Sequence, residues 1–126
     1  MKNPSQNATV LIVEDEAIVA ADLAGKLRRL GYEVAGIADS GEVAIELACR
    51  LLPHVVLMDV RIKGSMNVCS RIDVPVISMM AHSDIATLER ARISDSSEYI
   101  LKPFNGCELE SHVELAISRA GMKTTE

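Results

Sequence analysis

Short apolar runs separated by amphipathic stretches are the feature that most narrows how this chain can fold. Each run has the length of a β-strand, and the stretches between the runs carry apolar residues at helical spacing. Strands that alternate with helices predict a doubly wound α/β domain, in which helices cover both faces of a parallel sheet. The five predicted strands are Thr9–Val13, Glu33–Ala38, Val55–Asp59, residues 74–80 and Glu98–Leu101.

The predicted helices carry signals at their ends and along their faces. Gly31 follows the first helical stretch, where a left-handed residue commonly ends a helix. Asp39, three residues before Glu42, resembles a capping box at the start of the second helix. A short helix is predicted over residues 85–93, and the last helix is predicted to start near Asn105. The apolar face of the first helix consists of Ala20, Leu23, Ala24, Leu27 and Leu30.

The composition is that of one globular domain. The chain has 126 residues, of which 48% are hydrophobic and 25% are charged. Its net charge of -5 disfavours binding to nucleic acid or to an anionic membrane, and no apolar run approaches the roughly 20 residues of a membrane span. The three cysteines show neither disulfide nor zinc spacing, which favours reduced thiols in the cytoplasm. We expect residues 1–7 to form a disordered arm, residues 8–120 the domain and residues 121–126 a tail too short for an output domain.

Charged residues follow three of the predicted strands, at the edge of the sheet where α/β domains bind ligands. Glu14, Asp15 and Glu16 follow the first strand, Asp59 ends the third, and Lys102 follows the fifth. Ionised carboxylates that lie together repel each other unless a cation neutralises them, and their hard oxygen ligands favour Mg²⁺. A carboxylate can also accept a phosphoryl group, with a lysine supplying positive charge. This edge therefore predicts phosphoryl transfer onto Asp59.

Each of these residues also has an ordinary structural interpretation. Residues 14–16 precede a predicted helix, where acids commonly cap the N-terminus or complement its dipole. Lys102 and Pro103 could form an ordinary loop, and Asp59 could be a turn residue. The functional interpretation rests on their joint occurrence, with one feature after each odd-numbered strand.

Longer motifs around these residues resemble the receiver domain of two-component response regulators. The motifs are residues 10–16 (VLIVEDE), 56–59 (VLMD), 75–77 (PVI) and 99–104 (YILKPF). The resemblance covers about residues 8–120. It implies a flavodoxin-like, five-stranded parallel sheet with the strand order 2-1-3-4-5.

The resemblance also implies a role for each site residue. Asp59 would accept a phosphoryl group from the phosphohistidine of a sensor histidine kinase, and Lys102 would contact that group. Mg²⁺ would be bound by Glu14, Asp15, Asp59 and the backbone carbonyl of Arg61. Phosphorylation would bias the domain towards an active form, which would bind a downstream protein through the fourth predicted helix, the fifth strand and the last helix. The domain itself would not be an enzyme.

The predicted switch departs from the family pattern. The family usually has Thr or Ser at the end of the fourth strand, but the aligned residue is Met80, whose thioether donates no hydrogen bond. Ser78 or Ser83 could replace that hydroxyl, although we expect strand alternation to point Ser78 elsewhere. Tyr99 matches the aromatic position that moves inward in the family. Without the hydroxyl, a static and partly buried tyrosine explains this position equally well.

The segment between the third and fourth strands is short. Residues 61–73 come close to the minimum of about a dozen residues that a parallel crossover needs. We therefore expect a shortened third helix, over residues 67–72 or irregular, and one thinly covered face of the sheet. Residues 94–98 also replace the small turn that the family usually has before the fifth strand.

Three functions stay open at this point. The leading one is a stand-alone receiver that is phosphorylated at Asp59 and acts by protein–protein contact, without binding DNA itself. The second is a pseudo-receiver, a constitutive protein-binding adaptor whose switch is lost at Met80. The third is a small-molecule enzyme of the same architecture. It is disfavoured because Arg61 stands where an aspartyl phosphatase needs a second acid, and because few aromatics are available to stack on a flavin.

Overall fold

A computed structural model of the chain describes residues 8–84 and 98–124 and has the predicted α/β architecture. The strands form one parallel sheet in the order β2-β1-β3-β4-β5, which is the flavodoxin-like order. The strands are β1 (Thr9–Val13), β2 (Glu33–Ala38), β3 (Val55–Asp59), β4 (Val76–Met80) and β5 (Glu98–Leu101). The helices are α1 (Ala17–Arg29), α2 (Gly41–Leu51), α3 (Ser65–Arg71) and a C-terminal helix (Gly106–Thr124). The predicted strand bounds are confirmed except at β4, which begins at Val76 rather than at Val74.

The sheet separates two apolar layers, and the central strand β1 contributes to both. Val10 and Ile12 pack into the layer formed with α1 and the C-terminal helix. Leu11 and Val13 pack into the layer formed with α2 and α3. Successive residues of a strand point to opposite faces, so a strand that is covered on both sides must be apolar at every position. This arrangement explains why the first apolar run of the sequence is continuous.

Helix α1 buries the face that its apolar spacing predicts. Its buried residues are Ala20, Leu23, Ala24 and Leu27, and Leu30 packs partly buried at its end. Gly31 has φ of 98°, the left-handed conformation predicted after the helix. The N-cap residue Glu16 makes no side-chain capping bond.

The start of α2 differs from the predicted capping box. Ser40 rather than Asp39 is the N-cap, and its hydroxyl accepts a hydrogen bond from the Val43 N–H at 3.3 Å. The helix therefore begins one residue later than a cap at Asp39 would require. Serine and aspartate are equally good N-cap residues, which is why the sequence pattern does not distinguish them.

The N-terminus of α2 lies against the loop that follows β3. The Gly41 N–H donates to the Lys63 carbonyl at 2.8 Å, and a Cβ at Gly41 would lie 2.5 Å from the Gly64 carbonyl oxygen. Gly64 itself has φ of 82°, a conformation that favours glycine. Two glycines thus allow the backbones to approach closely and fix the loop that carries Arg61.

The third helix is shortened, as predicted, but it spans Ser65–Arg71 rather than residues 67–72. The expected thin cover of the sheet is not observed, because every residue of β3 and β4 is buried. Ile62 from the preceding loop and Val68 from α3 are 3% and 0% exposed and complete the second apolar layer. A loop side chain therefore supplies cover that a longer helix would otherwise give.

The remaining predictions concern the ends of the chain and the segment before β5. The arm predicted at residues 1–7 and the helix predicted at residues 85–93 lie outside the described residues. The C-terminal helix buries Leu109, Val113 and Ala116 and continues to Thr124, so residues 121–124 of the predicted tail are helical. No helix within residues 8–84 and 98–124 is long and apolar enough to cross a membrane.

Candidate functional site

Three strand ends bring predicted site residues to one edge of the sheet. Asp59 is the last residue of β3, Glu14 directly follows β1, and Lys102 directly follows β5. Parallel strands have their carboxyl ends at the same edge, so these residues meet although they are far apart in sequence. β1 is paired with β3, whereas β4 separates β3 from β5. The Lys102 side chain therefore reaches past the end of β4 to meet Asp59.

The Asp59 carboxylate is held through both of its oxygens. Oδ1 accepts a hydrogen bond from the Arg61 N–H at 2.9 Å, and Oδ2 accepts one from Lys102 Nζ at 3.1 Å. The Asp59 side chain is 11% exposed, so a small part of it stays accessible at the sheet edge. This arrangement holds the carboxylate in a fixed position beside the Lys102 ammonium.

Lys102 is positioned by the backbone as well as by its ion pair. Its N–H donates to the Met80 carbonyl at 2.8 Å, which continues the pairing of β4 and β5 by one residue. The Lys102 side chain is 34% exposed, and the following peptide bond to Pro103 is cis. The ammonium therefore lies between Asp59 and solvent, where it can also contact a group bound to Asp59.

Glu14 is an acid in a nearly closed environment. Oε2 accepts a hydrogen bond from the Glu16 N–H at 3.2 Å, whereas the buried Oε1 has no hydrogen-bond partner. Burial raises the pKa of Glu14, the Glu16 N–H opposes this effect, and the negative charge of Asp59 raises the pKa further. A cation next to Oε1 would offset the cost of burying the Glu14 charge and would reduce its repulsion with Asp59.

The predicted magnesium ligands fit this environment. Among the described residues, no group of three or more His, Cys, Asp and Glu side chains is arranged to hold a metal ion. Mg²⁺ needs fewer side chains, because it keeps several waters and commonly takes one or two carboxylates. The unpartnered oxygen of Glu14 lies at the same edge as Asp59, and Asp15 is exposed next to it. The Arg61 N–H donates to Asp59 Oδ1, so the backbone of Arg61 lies close to the Asp59 carboxylate.

The two predicted switch residues are placed very differently. Met80 is fully buried, whereas Tyr99 is 52% exposed, so the tyrosine is more exposed than the partly buried residue considered from the sequence. Ser78 is also buried, and it lies two residues before Met80 in β4. Residues two apart in a strand share a face, so the expectation that alternation points Ser78 elsewhere is wrong. Ser78 lies further from the strand end, with Met58 and Tyr99 as its neighbours in β3 and β5.

The sequence did not indicate a pairing between Arg61 and Asp84. Arg61 Nε lies 3.4 Å from Asp84 Oδ1, and Asp84 Oδ2 accepts a hydrogen bond from the Ala81 N–H at 2.9 Å. The Ala81 N–H and the Arg61 charge both lower the pKa of Asp84. Alanine is a poor N-cap residue, so no capping pattern in the sequence pointed to the Ala81 contact. The Arg61 contact depends on the approach of two loops.

Comparison with known proteins identifies the family. The model of the response regulator receiver domain matches residues 10–114. The transcriptional regulatory protein PdtaR of Mycobacterium tuberculosis is 40% identical over 116 residues, which cover 87% of this chain and 57% of PdtaR. This chain therefore spans little more than half the length of that relative.

Solved structures agree with this match. The signal receiver domain of a modulated diguanylate cyclase from Desulfovibrio desulfuricans G20 gives a TM-score of 0.80 at 32% identity, covering 91% of this chain and 97% of that domain. The receiver domain of the PhyR response regulator from Erythrobacter litoralis gives a TM-score of 0.71 at 27% identity, covering 95% of this chain and 94% of that domain. With its fold, strand order and most of its length matched, the chain belongs to the response regulator receiver domain family.

Proposed function

We propose that this receiver domain accepts a phosphoryl group on Asp59 from the phosphohistidine of a sensor histidine kinase. The observation that carries the proposal is the Asp59 carboxylate itself, held by Lys102 and by the Arg61 N–H beside the unpartnered oxygen of Glu14. A carboxylate fixed in this way needs little reorganisation to act as a nucleophile.

The reaction transfers one phosphoryl group between two side chains. A carboxylate oxygen of Asp59 attacks phosphorus, a P–O bond forms, and the P–N bond of phosphohistidine breaks. The electron pair of the P–N bond returns to the ring nitrogen, and the imidazole leaves neutral after taking up a proton. Lys102 then faces the new phosphoryl oxygens with its ammonium, which lies 3.1 Å from Asp59 Oδ2 before transfer. Hydrolysis of the acyl phosphate by water would restore the carboxylate and release inorganic phosphate.

Mg²⁺ is the cofactor that the proposal assigns to this edge. Glu14, Asp15, Asp59 and the Arg61 carbonyl would hold it, and it would supply positive charge to the phosphoryl oxygens during transfer. The buried Oε1 of Glu14 supports this assignment because it otherwise lacks a partner. The metal dependence of phosphorylation is therefore part of the proposal.

The output of the domain is proposed to be protein–protein contact. The same proposal includes a domain that spans residues 8–120, a cytoplasmic location and no direct contact with nucleic acid. The net charge of -5 supports the last point, because a nucleic-acid surface is usually basic. The fifth strand and the C-terminal helix would form part of the contact face, with Tyr99 exposed on β5.

A second function, that of a pseudo-receiver, has a specific observation in its favour. Met80 fills the strand end with a fully buried thioether, so this position offers no hydroxyl for the switch of the family. A pseudo-receiver would bind its partner regardless of phosphorylation. It is the alternative that an absence of phosphorylation would favour.

Intact-mass analysis separates these two functions. The protein is incubated with phosphoramidate, with and without Mg²⁺, beside the variants Asp59→Asn and Glu16→Gln. We expect one phosphoryl adduct on the wild type, formed only with Mg²⁺, absent from Asp59→Asn and retained in Glu16→Gln, whose altered acid is exposed. A wild type that takes up no phosphoryl group, beside an intact receiver that does, would favour the pseudo-receiver.

A further inference from the structure

The Arg61 side chain forms an ion pair at the rim of the proposed phosphorylation site. Its Nε lies 3.4 Å from Oδ1 of Asp84, in the turn that follows β4. The Arg61 side chain is 68% exposed, whereas the Asp84 side chain is 16% exposed. The other Asp84 oxygen accepts the Ala81 N–H at 2.9 Å. The carboxylate is thus fixed by backbone, and the guanidinium is the more exposed partner.

Contacts connect this ion pair to Asp59 from two directions. On one side, the Arg61 N–H donates to Asp59 Oδ1 at 2.9 Å. On the other side, Lys102 Nζ donates to Asp59 Oδ2 at 3.1 Å, and the Lys102 N–H donates to the Met80 carbonyl at 2.8 Å. Ala81, which follows Met80, donates to the acid of the pair. Hydrogen bonds and the adjoining backbone therefore link the Arg61–Asp84 pair to both oxygens of the Asp59 carboxylate.

A phosphoryl group on Asp59 would have one hydrogen-bond donor fewer around it than the family pattern provides, because Met80 replaces the hydroxyl residue. The phosphoryl group carries about two negative charges and three strong acceptor oxygens. Lys102 supplies its ammonium, but Met80 occupies the strand end with a buried thioether that donates nothing. The Arg61 guanidinium offers five N–H donors in a planar fork that suits phosphate.

We propose that Arg61 replaces the missing hydroxyl: when Asp59 is phosphorylated, the Arg61 guanidinium leaves Asp84 and binds the phosphoryl oxygens. This inference rests on the proposed phosphorylation of Asp59 and deepens it by naming the donor that responds. Asp84 then keeps its Ala81 contact but loses its cation. The phosphorylation state of Asp59 is thereby transmitted to the turn after β4 without any movement of a strand-end hydroxyl.

The relative strengths of the two contacts favour this exchange. The Arg61–Asp84 pair is long for a charge-assisted hydrogen bond and its arginine is largely exposed, so it contributes little stability. A phosphoryl group can accept two parallel N–H bonds from a guanidinium and carries more charge than a carboxylate. Asp84 keeps its hydrogen bond from the Ala81 N–H, so releasing Arg61 does not leave the carboxylate without a donor.

A double-mutant cycle tests the exchange directly. The probe is beryllofluoride, which becomes tetrahedral when it bonds to a carboxylate oxygen and then resembles an acyl phosphate, and its Kd is measured by calorimetry with Mg²⁺ present. The proteins are the wild type, Arg61→Gln, Asp84→Asn and the double variant. Arg61→Gln retains the backbone N–H and carbonyl, and its side chain is exposed, so it is expected to fold. Asp84→Asn retains an oxygen for the Ala81 N–H.

The exchange predicts a coupled result. Arg61→Gln weakens beryllofluoride binding roughly ten-fold, because a charge-assisted contact is lost. Asp84→Asn tightens binding roughly two- to five-fold, because Arg61 no longer has to leave an ion pair. In the Arg61→Gln background, Asp84→Asn has no effect on the Kd. The Arg61 Nε–Hε resonance of ¹⁵N-labelled wild type shifts when the anion binds.

Other outcomes overturn the inference in distinguishable ways. An equal gain from Asp84→Asn in both backgrounds means that Asp84 acts only through its negative charge. An unchanged Kd for Arg61→Gln means that the guanidinium does not bind the anion. In both cases the wild type still binds, so the proposed function stands. A wild type that binds no beryllofluoride and gains no phosphoryl group contradicts the proposed function, and the exchange falls with it.

Discussion

The Glu14 carboxyl group is almost completely buried, and burial disfavours its charged form. Its side chain is 3% exposed, one oxygen has no partner, and Asp59 adds repulsion. A raised pKa means that the native state favours protonated Glu14 more than the unfolded chain does. The stabilisation from this preference is present below the unfolded pKa, near 4.5, and is lost as the pH rises through the native pKa.

Replacing Glu14 by glutamine should therefore stabilise the metal-free protein at pH 7. We expect Glu14→Gln to raise the free energy of unfolding by roughly 1 kcal/mol at pH 7 and to change it little at pH 4. Mg²⁺ should stabilise the wild type more than the variant, because the variant lacks the carboxylate. Urea unfolding with and without Mg²⁺ measures both effects. Glu16→Gln, an exposed control, should stay within about 0.5 kcal/mol of the wild type.

Tyr32 provides a second residue-scale prediction, away from the site. Its hydroxyl donates to Glu114 in the C-terminal helix, and burial, that bond and the charge of Glu114 raise the pKa of Tyr32. Tyr32→Phe should lower the free energy of unfolding by about 1.5 kcal/mol at pH 8. Because the pKa is raised, this difference should shrink as the pH rises above 10. Tyr99→Phe, at a half-exposed position, should cost less than about 0.5 kcal/mol. Equal losses for the two variants would contradict the assigned contact.

At the scale of elements, burial decides what the sequence could predict. Every residue of β1 after Thr9 and of β3 before Asp59 is apolar because helices cover both faces of the sheet, so the bounds of these strands were visible in the sequence. The start of α2 was predicted one residue early, since Asp39 and Ser40 are both good caps. The start of α3 was missed because it depends on how the preceding loop packs against Gly41, a contact between segments distant in sequence.

That contact gives the element-scale prediction. Gly41→Ala should lower the free energy of unfolding by roughly 1–3 kcal/mol, because the new Cβ would lie 2.5 Å from the Gly64 carbonyl oxygen and the backbone would have to move. Gly106→Ala is the matched control, since nothing lies within 4 Å of its Cβ position. The control should be neutral or stabilising by up to about 1 kcal/mol. Denaturant unfolding of both variants checks this, and similar values for the two would argue against the close approach.

At the scale of the whole molecule, topology made the site partly predictable. Parallel strands deliver their carboxyl ends to one edge, so the meeting of Glu14, Asp59 and Lys102 followed from the order of the elements. The exposure of Tyr99 and the pairing of Arg61 with Asp84 did not follow. Both depend on how loops and side chains pack around the strand ends, which neither periodicity nor motif spacing encodes.

The roles of these residues, as distinct from their positions, depend on chemistry at Asp59. The wild type is treated with phosphoramidate and Mg²⁺, and the acyl phosphate is trapped by reduction with borohydride, which converts a phosphorylated aspartate to homoserine. Tryptic cleavage after Arg50 and Arg61 gives the peptide of residues 51–61, in which Asp59 is the only acid. We expect homoserine at position 59, dependent on Mg²⁺ and absent when Asp59 is replaced by asparagine. An unmodified Asp59, or homoserine at another acid only, would contradict the assignment of Asp59 as the phosphoacceptor.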